Sequence, residues 1–130
     1  MSAHVCVALG AERYGIAVEH VREVAQLDTV VPVPGAARWI AGVRHLRGEI
    51  LPVVRLHDLL GAPAGDPRRV VVVRDRDRSA ALAVDRADAV EDLPEPDGAG
   101  ERLTRGAVLH RDAVLGILDV PAILDAVGAR

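Results

Sequence analysis

The stretch from Trp39 to Leu60, WIAGVRHLRGEILPVVRLHDLL, restricts the fold more than any other part of the chain. Glu49 to Leu56 has the length of a strand and is apolar on both sides, with Ile50 and Val54 on one face and Leu51 and Val53 on the other. A half-buried strand would alternate with polar residues, so this one is expected to be covered on both faces. Arg47-Gly48 just ahead of it reads as the tip of a tight turn, because glycine supplies positive φ at no steric cost. Gly42 is placed just outside the neighbouring strand run. Pro52 cannot donate a ladder hydrogen bond, so the strand is expected at a sheet edge or to end its pairing there. Arg55 to Leu60 then makes one or two helical turns, and Gly61 suits the position past the helix end.

The rest of the chain has the same grain. His4–Leu9 and Tyr14–Val18 read as a hairpin about Gly10–Arg13, and Arg69–Arg74 and Ala80–Val84 as a second about the charged turn 75–79. Ala87–Leu93 is a further strand, and Leu109–Leu118 a last hairpin turning at His110–Asp112. Val18, Val21 and Val24 recur every third residue, which fits a turn of helix or 3-10 helix packing its valines inward. Pro121–Val127 is a short closing helix, with proline at its start and Gly128 after its end. Ala62–Pro67 is dense in breakers and is the expected boundary between two lobes, while Pro94–Arg102 is a loop. Trp39 is expected to anchor the joint before the central turn. The sum is eight to ten short strands with brief helices, hence an all-β fold.

Composition excludes several function classes. The 130 residues carry a net charge of −3 with both signs interspersed, and they include no Phe, one Tyr and one Trp. A nucleic-acid surface would show a basic patch and aromatic platforms. The single Cys6 rules out an internal disulfide and sits in an apolar run, as a buried core residue would. No run reaches the roughly 20 apolar residues needed to span a bilayer, and no secretory signal is visible, so a cytoplasmic location is expected.

Catalytic patterns are missing too. Ser2 and Ser79 lie in no nucleophile-elbow pattern, there is no phosphate-binding glycine loop, and the five histidines show no paired-ligand spacing. His45 and His57 flank one strand, and with Asp58 they leave a small metal-dependent enzyme as an alternative. No cofactor is expected. What remains is an interaction module. Arg47, at a turn beside an apolar strand, either clamps that turn through backbone carbonyls or offers charge-assisted hydrogen bonds to a partner.

Gly42-Val-Arg-His-Leu-Arg-Gly-Glu-Ile-Leu-Pro-Val-Val-Arg-Leu56 resembles the signature of the CheW-like family of bacterial chemotaxis coupling proteins. It departs from that pattern at His45, where the family usually has Asn, and at Arg55, where it usually has Asp. Tyr14–Val24 and Ala81–Val90 are similar to two further family segments, so the resemblance runs from Leu9 to Leu124. It implies two small five-stranded SH3-like barrels sharing a hydrophobic core. It further implies an adaptor that links the cytoplasmic tip of methyl-accepting chemoreceptors to the regulatory domain of a CheA-type histidine kinase, without inserting into the membrane. Carried over by position, the partner-binding residues are Arg47 and Gly48, with Val21, Glu23 and Gly42, and His45 as a departure that alters local chemistry. Each has a plainer role open to it: Val21 as core, Glu23 as a solvated charge, Gly42 as a turn residue. Arg55 is expected to pair with Asp58 or Asp28. A scaffold of the same build serving a pathway other than motility is the second reading.

Overall fold

The computed structural model describes residues 1–63, 65–96 and 100–128. Ten strands and two short helices follow one another as β1 (Ser2–Leu9), β2 (Glu12–Ala17), β3 (Val21–Gln26), β4 (Ile40–Leu46), β5 (Glu49–Arg55), α1 (Leu56–Leu60), β6 (Arg69–Asp75), β7 (Arg78–Val84), β8 (Arg86–Leu93), β9 (Thr104–His110), β10 (Ala113–Leu118) and α2 (Val120–Val127). They form two five-stranded sheets, in the orders β8-β1-β2-β10-β9 and β3-β6-β7-β5-β4. The all-β expectation holds.

Apolar runs without alternation are explained by where their two faces go. Along β6, Val71 and Val73 face a cluster shared by both sheets, while Val70 and Val72 face a cluster inside the second sheet. In β7, Ala80, Leu82 and Val84 join the shared cluster, and Ala81 and Ala83 the inner one. β1 does the same for the first sheet: Val5, Val7 and Leu9 enter the shared core, and Cys6 enters an inner cluster with Leu93, Val108, Leu115 and Ile117. Strand side chains alternate with a period of two, so a strand between two cores must be apolar at every position.

Each sheet curls about its inner cluster until its edge strands face each other. In the second sheet Arg44 on β4 donates to the Gln26 carbonyl at the end of β3, at 2.6 Å. In the first, Glu91 on β8 lies 3.6 Å from His110 and 3.4 Å from Arg111, at the β9–β10 turn.

The two lobes repeat one plan. β5 runs parallel to β7 and is followed by α1, and β10 runs parallel to β2 and is followed by α2. The hairpins feeding those helices match in detail. Gly42 and Gly106 have φ of 152° and 120°, and Arg47 and Arg111 both sit at 51°. Ile50 and Val114 are both largely exposed, and Leu51 and Leu115 both buried. The α2 helix starts as its sequence requires, with the Asp119 carboxylate accepting from the Ala122 amide at 3.1 Å and Pro121 in the first turn.

Several expectations change. The breaker-rich segment around residues 62–67, of which residue 64 lies outside the described residues, does not part the lobes. It joins α1 to β6 within one sheet. The chain instead passes between sheets at Val18–His20, a 3-10 turn, and at Asp85. Breakers mark turns, and turns also occur inside a lobe. β5 is not an edge strand. Its parallel ladder to β7 begins at Val53, so Pro52 sits just ahead of the positions where an N–H is needed on that side. Ile50 is 69% exposed, because it precedes the stretch covered on both faces. The valines at 18 and 24 are exposed, since only Val18–His20 is helical and β3 is an edge strand alternating half-buried Val21, Glu23 and Ala25 with exposed neighbours. Gly42 lies inside β4, at a bulge. The middle of the loop 94–102 lies outside the described residues. Gly116 sits beside a bulge in β10, and a Cβ there would stand 3.0 Å from the Tyr14 ring.

Candidate functional site

Most of the expected contact residues gather on one face of the second lobe. β4 and β5 are joined by Arg47 and Gly48 at φ of 51° and 82°, so both central residues of this two-residue turn are left-handed. That is the type I′ geometry, which matches strand twist and usually takes Asn-Gly. An arginine there is conformationally unfavourable, and its side chain is engaged. Arg47 Nε donates to Glu23 Oε1 on β3 at 2.7 Å. Glu23 thereby holds the guanidinium above its ordinary pKa, through the hydrogen bond first and the charge second. Arg22 completes a crossed pair by donating to Glu49 at 3.1 Å, so two ion pairs bridge the edge strand and the turn.

The turn is tied to β3 by these carboxylates and not by backbone carbonyls. Arg47 remains 71% exposed, so the guanidinium still has donors available to a partner. Val21, at the start of β3, is half-buried against the shared core. His45 is exposed on β4, directly across from Ile50. Gly42 is buried: a Cβ on it would come within 2.2 Å of the Val31 carbonyl oxygen, which accepts from Val43 N at 2.9 Å. Its place is to let residues 30–31 lie against β4, one layer behind the surface.

Arg55 makes no ion pair among the described residues, and Asp28 lies 3.6 Å from Arg44 instead. The metal alternative loses its geometry. His57 is buried in α1 with Nε2 3.3 Å from Asp85, while His45 lies exposed on β4. Among the described residues no three His, Cys, Asp or Glu side chains group as a metal site. Cys6 is buried, which raises its thiol pKa and leaves it a poor nucleophile.

A groove of about 480 Å³ lies at the junction of the lobes, with Trp39, Leu59 and Leu60 on one side and Tyr14, Leu103 and Thr104 on the other. Trp39 is half-buried against the shared core, as an anchor of that joint. The Arg47 turn does not line this groove. Sequence reasoning missed the Arg22–Glu49 pair and the buried His57–Asp85 pair, while the second turn, at Arg111-Asp112, falls where the last hairpin was expected to turn. No helix among the described residues is long and apolar enough to cross a membrane.

The family model for the CheW-like domain matches residues 3–128. The chain is 29% identical to the chemotaxis protein CheW of Treponema pallidum, over 89% of this chain and 78% of that protein. It is 30% identical to CheW of Rhizobium meliloti, over 92% and 84% respectively. A shorter match, 35% identical over 57% of this chain and 43% of the other, is to the protein PilI of Pseudomonas aeruginosa. The crystal structure of the scaffolding protein TtCheW from Thermoanaerobacter tengcongensis shares the fold, with a TM-score of 0.81 at 23% identity over 91% of this chain and 88% of that one. With its two curled sheets, its shared core and a family match over nearly its whole length, this chain belongs to the CheW-like domain family.

Proposed function

We propose that this chain is a non-catalytic adaptor of chemotaxis signalling, coupling the cytoplasmic tip of chemoreceptors to the regulatory domain of a CheA-type histidine kinase. The observation that supports this best is the Arg47–Glu23 pair. A conformationally costly arginine is kept at an exposed turn and pre-oriented by a carboxylate on the neighbouring edge strand. Pre-orientation reduces the side-chain ordering cost of binding. Exposed Ile50 and His45 beside the turn add an apolar and a polar contact, and Gly48 and Val21 complete the proposed set of contact residues. Contacts of this kind are modest singly and gain strength when several adaptors, receptors and kinases assemble together.

Co-sedimentation with the receptor tip and the kinase regulatory domain tests the reading. Arg47→Glu should abolish capture while circular dichroism stays unchanged. In the double variant Arg47→Glu with Glu23→Arg the turn pair is restored but its outward charge is reversed, and capture should stay lost. Wild-type capture by Arg47→Glu would remove this turn from the interface. A scaffold for a pathway other than motility is the second reading. Normal spreading of a deletion strain on soft agar would support it over chemotaxis.

A further inference from the structure

The second lobe is rolled around aliphatic side chains but stays open at one end. A cavity of about 420 Å³ lies there, walled by Leu27, Val30, Ala41, Val53 and Ala83. This is the size and lining of a small-molecule pocket. The first lobe, built on the same plan, packs the matching strand with a larger side chain. Ile117, paired with Gly15 of β2, takes the place that Val53, paired with Ala81 of β7, has in the second lobe. Ile117 and Leu93 there press within 3.2 Å and 3.0 Å of where a Gly15 Cβ would be.

The rim decides what fits. Arg55, Asp58, Asp28 and the buried His57 line the cavity. Asp28 is drawn toward Arg44, and His57 Nε2 lies beside Asp85 under Gly65. That leaves Arg55 and Asp58, one of each sign, with no ion-pair partner among the described residues. Arg55 stands where the resembling pattern has Asp, so the cation at this mouth is a property of this chain. We infer that the cavity binds a free aliphatic α-amino acid, with its carboxylate on the Arg55 guanidinium, its ammonium at Asp58 and its side chain among Val30, Ala41, Val53 and Ala83. An aliphatic acid would leave Asp58 unanswered and an aliphatic amine would leave Arg55 unanswered, whereas the zwitterion satisfies both.

The experiment is titration of the full chain with L-leucine, followed by amide chemical shifts and calorimetry. Its comparators are 4-methylvalerate, which lacks the ammonium, isoamylamine, which lacks the carboxylate, and glycine, which lacks the side chain. L-Leucine should saturably shift the amides of Ala41, Val53, Arg55 and Ala83, and each comparator should bind at least about tenfold more weakly. Arg55→Asp, an exposed change that preserves the fold, should weaken L-leucine at least about tenfold. Ala41→Leu, which fills the cavity, should abolish binding; if it fails to fold, the Arg55→Asp result and the comparators decide alone. Absence of saturable shifts with L-leucine overturns the inference. So does equal binding of 4-methylvalerate, or binding that Arg55→Asp leaves intact.

Discussion

Asp85 is the side chain whose removal should reveal most about how the two lobes are held together. It lies where the chain leaves β7 of the second sheet for β8 of the first. Its Oδ2 accepts from the Gly10 amide in the β1–β2 turn at 2.6 Å, and its Oδ1 lies 3.3 Å from Nε2 of His57 in α1. One carboxylate thus joins a turn of one lobe to a helix of the other. In Asp85→Ala the Gly10 amide, being exposed, regains water, so little of that bond's worth is lost. The His57 side chain is only 8% exposed, and its Nε2 faces Asp85 Oδ1 at 3.3 Å without a formed hydrogen bond, so the substitution takes a carboxylate away from a buried nitrogen at a cost of about 1–3 kcal/mol. With the charge-assisted bond partly counted, the total is roughly 2–4 kcal/mol. For 130 residues, 1 kcal/mol moves the midpoint by about 4 °C, so thermal unfolding should shift down by roughly 8–16 °C.

Urea unfolding with linear extrapolation is the assay, and Asp66→Ala is the control, because the Arg68–Asp66 pair is almost fully exposed and should be worth under about 1 kcal/mol. A cycle of Asp85→Ala, His57→Leu and the double variant isolates the pair and should return a coupling of about 0.5–3 kcal/mol. An Asp85→Ala protein as stable as Asp66→Ala, or a coupling near zero, would refute the reasoning.

Three further outcomes follow from the same coordinates. Gly42→Ala should cost about 2–4 kcal/mol in urea and strip exchange protection from the Val31 and Val43 amides, because the new Cβ meets the Val31 carbonyl and φ is 152°. Leu82→Ala, in the core shared by both sheets, should cost about 2–5 kcal/mol with one cooperative transition; two separate transitions would show that the lobes unfold independently. Tyr14 should ionise, by its absorbance at 295 nm, only above the ordinary tyrosine range, since burial first and the Glu12 hydrogen bond second raise its pKa. The folded state then holds that proton more tightly than the unfolded one. Tyr14 stabilisation is complete below the unfolded pKa and is lost as pH climbs through the folded one, and Glu12→Gln should lower the ionisation pH.

Strand content, turn positions and the α2 boundaries were legible because they rest on interactions between near neighbours. Arg47-Gly48, Gly61, Pro121 and Gly128 each report a local backbone need. The crossing points between lobes were not legible. Val18–His20 and Asp85 carry no breaker, whereas the breaker-rich segment near Pro67 turns within one sheet. Of the two placements open to the strand at Pro52, the sheet edge failed and the end of a pairing held, since the ladder to β7 begins one residue later. Within the candidate site, Arg47 was legible as a turn residue. Its partner Glu23 was not, because 24 residues separate them and only the curl of the sheet brings their strands together.

The amino-acid sequence alone determined an all-β chain with apolar runs too continuous for a half-covered sheet, and the resemblance carried by its central motif. Tertiary structure alone decided which valines face the inner clusters and which the shared core, where the second lobe stays open, and which carboxylate each arginine meets. The physical reason is range. Backbone propensity acts over a few residues, while side-chain pairing depends on strands that are distant in the chain and become neighbours only when each sheet has rolled around its own core.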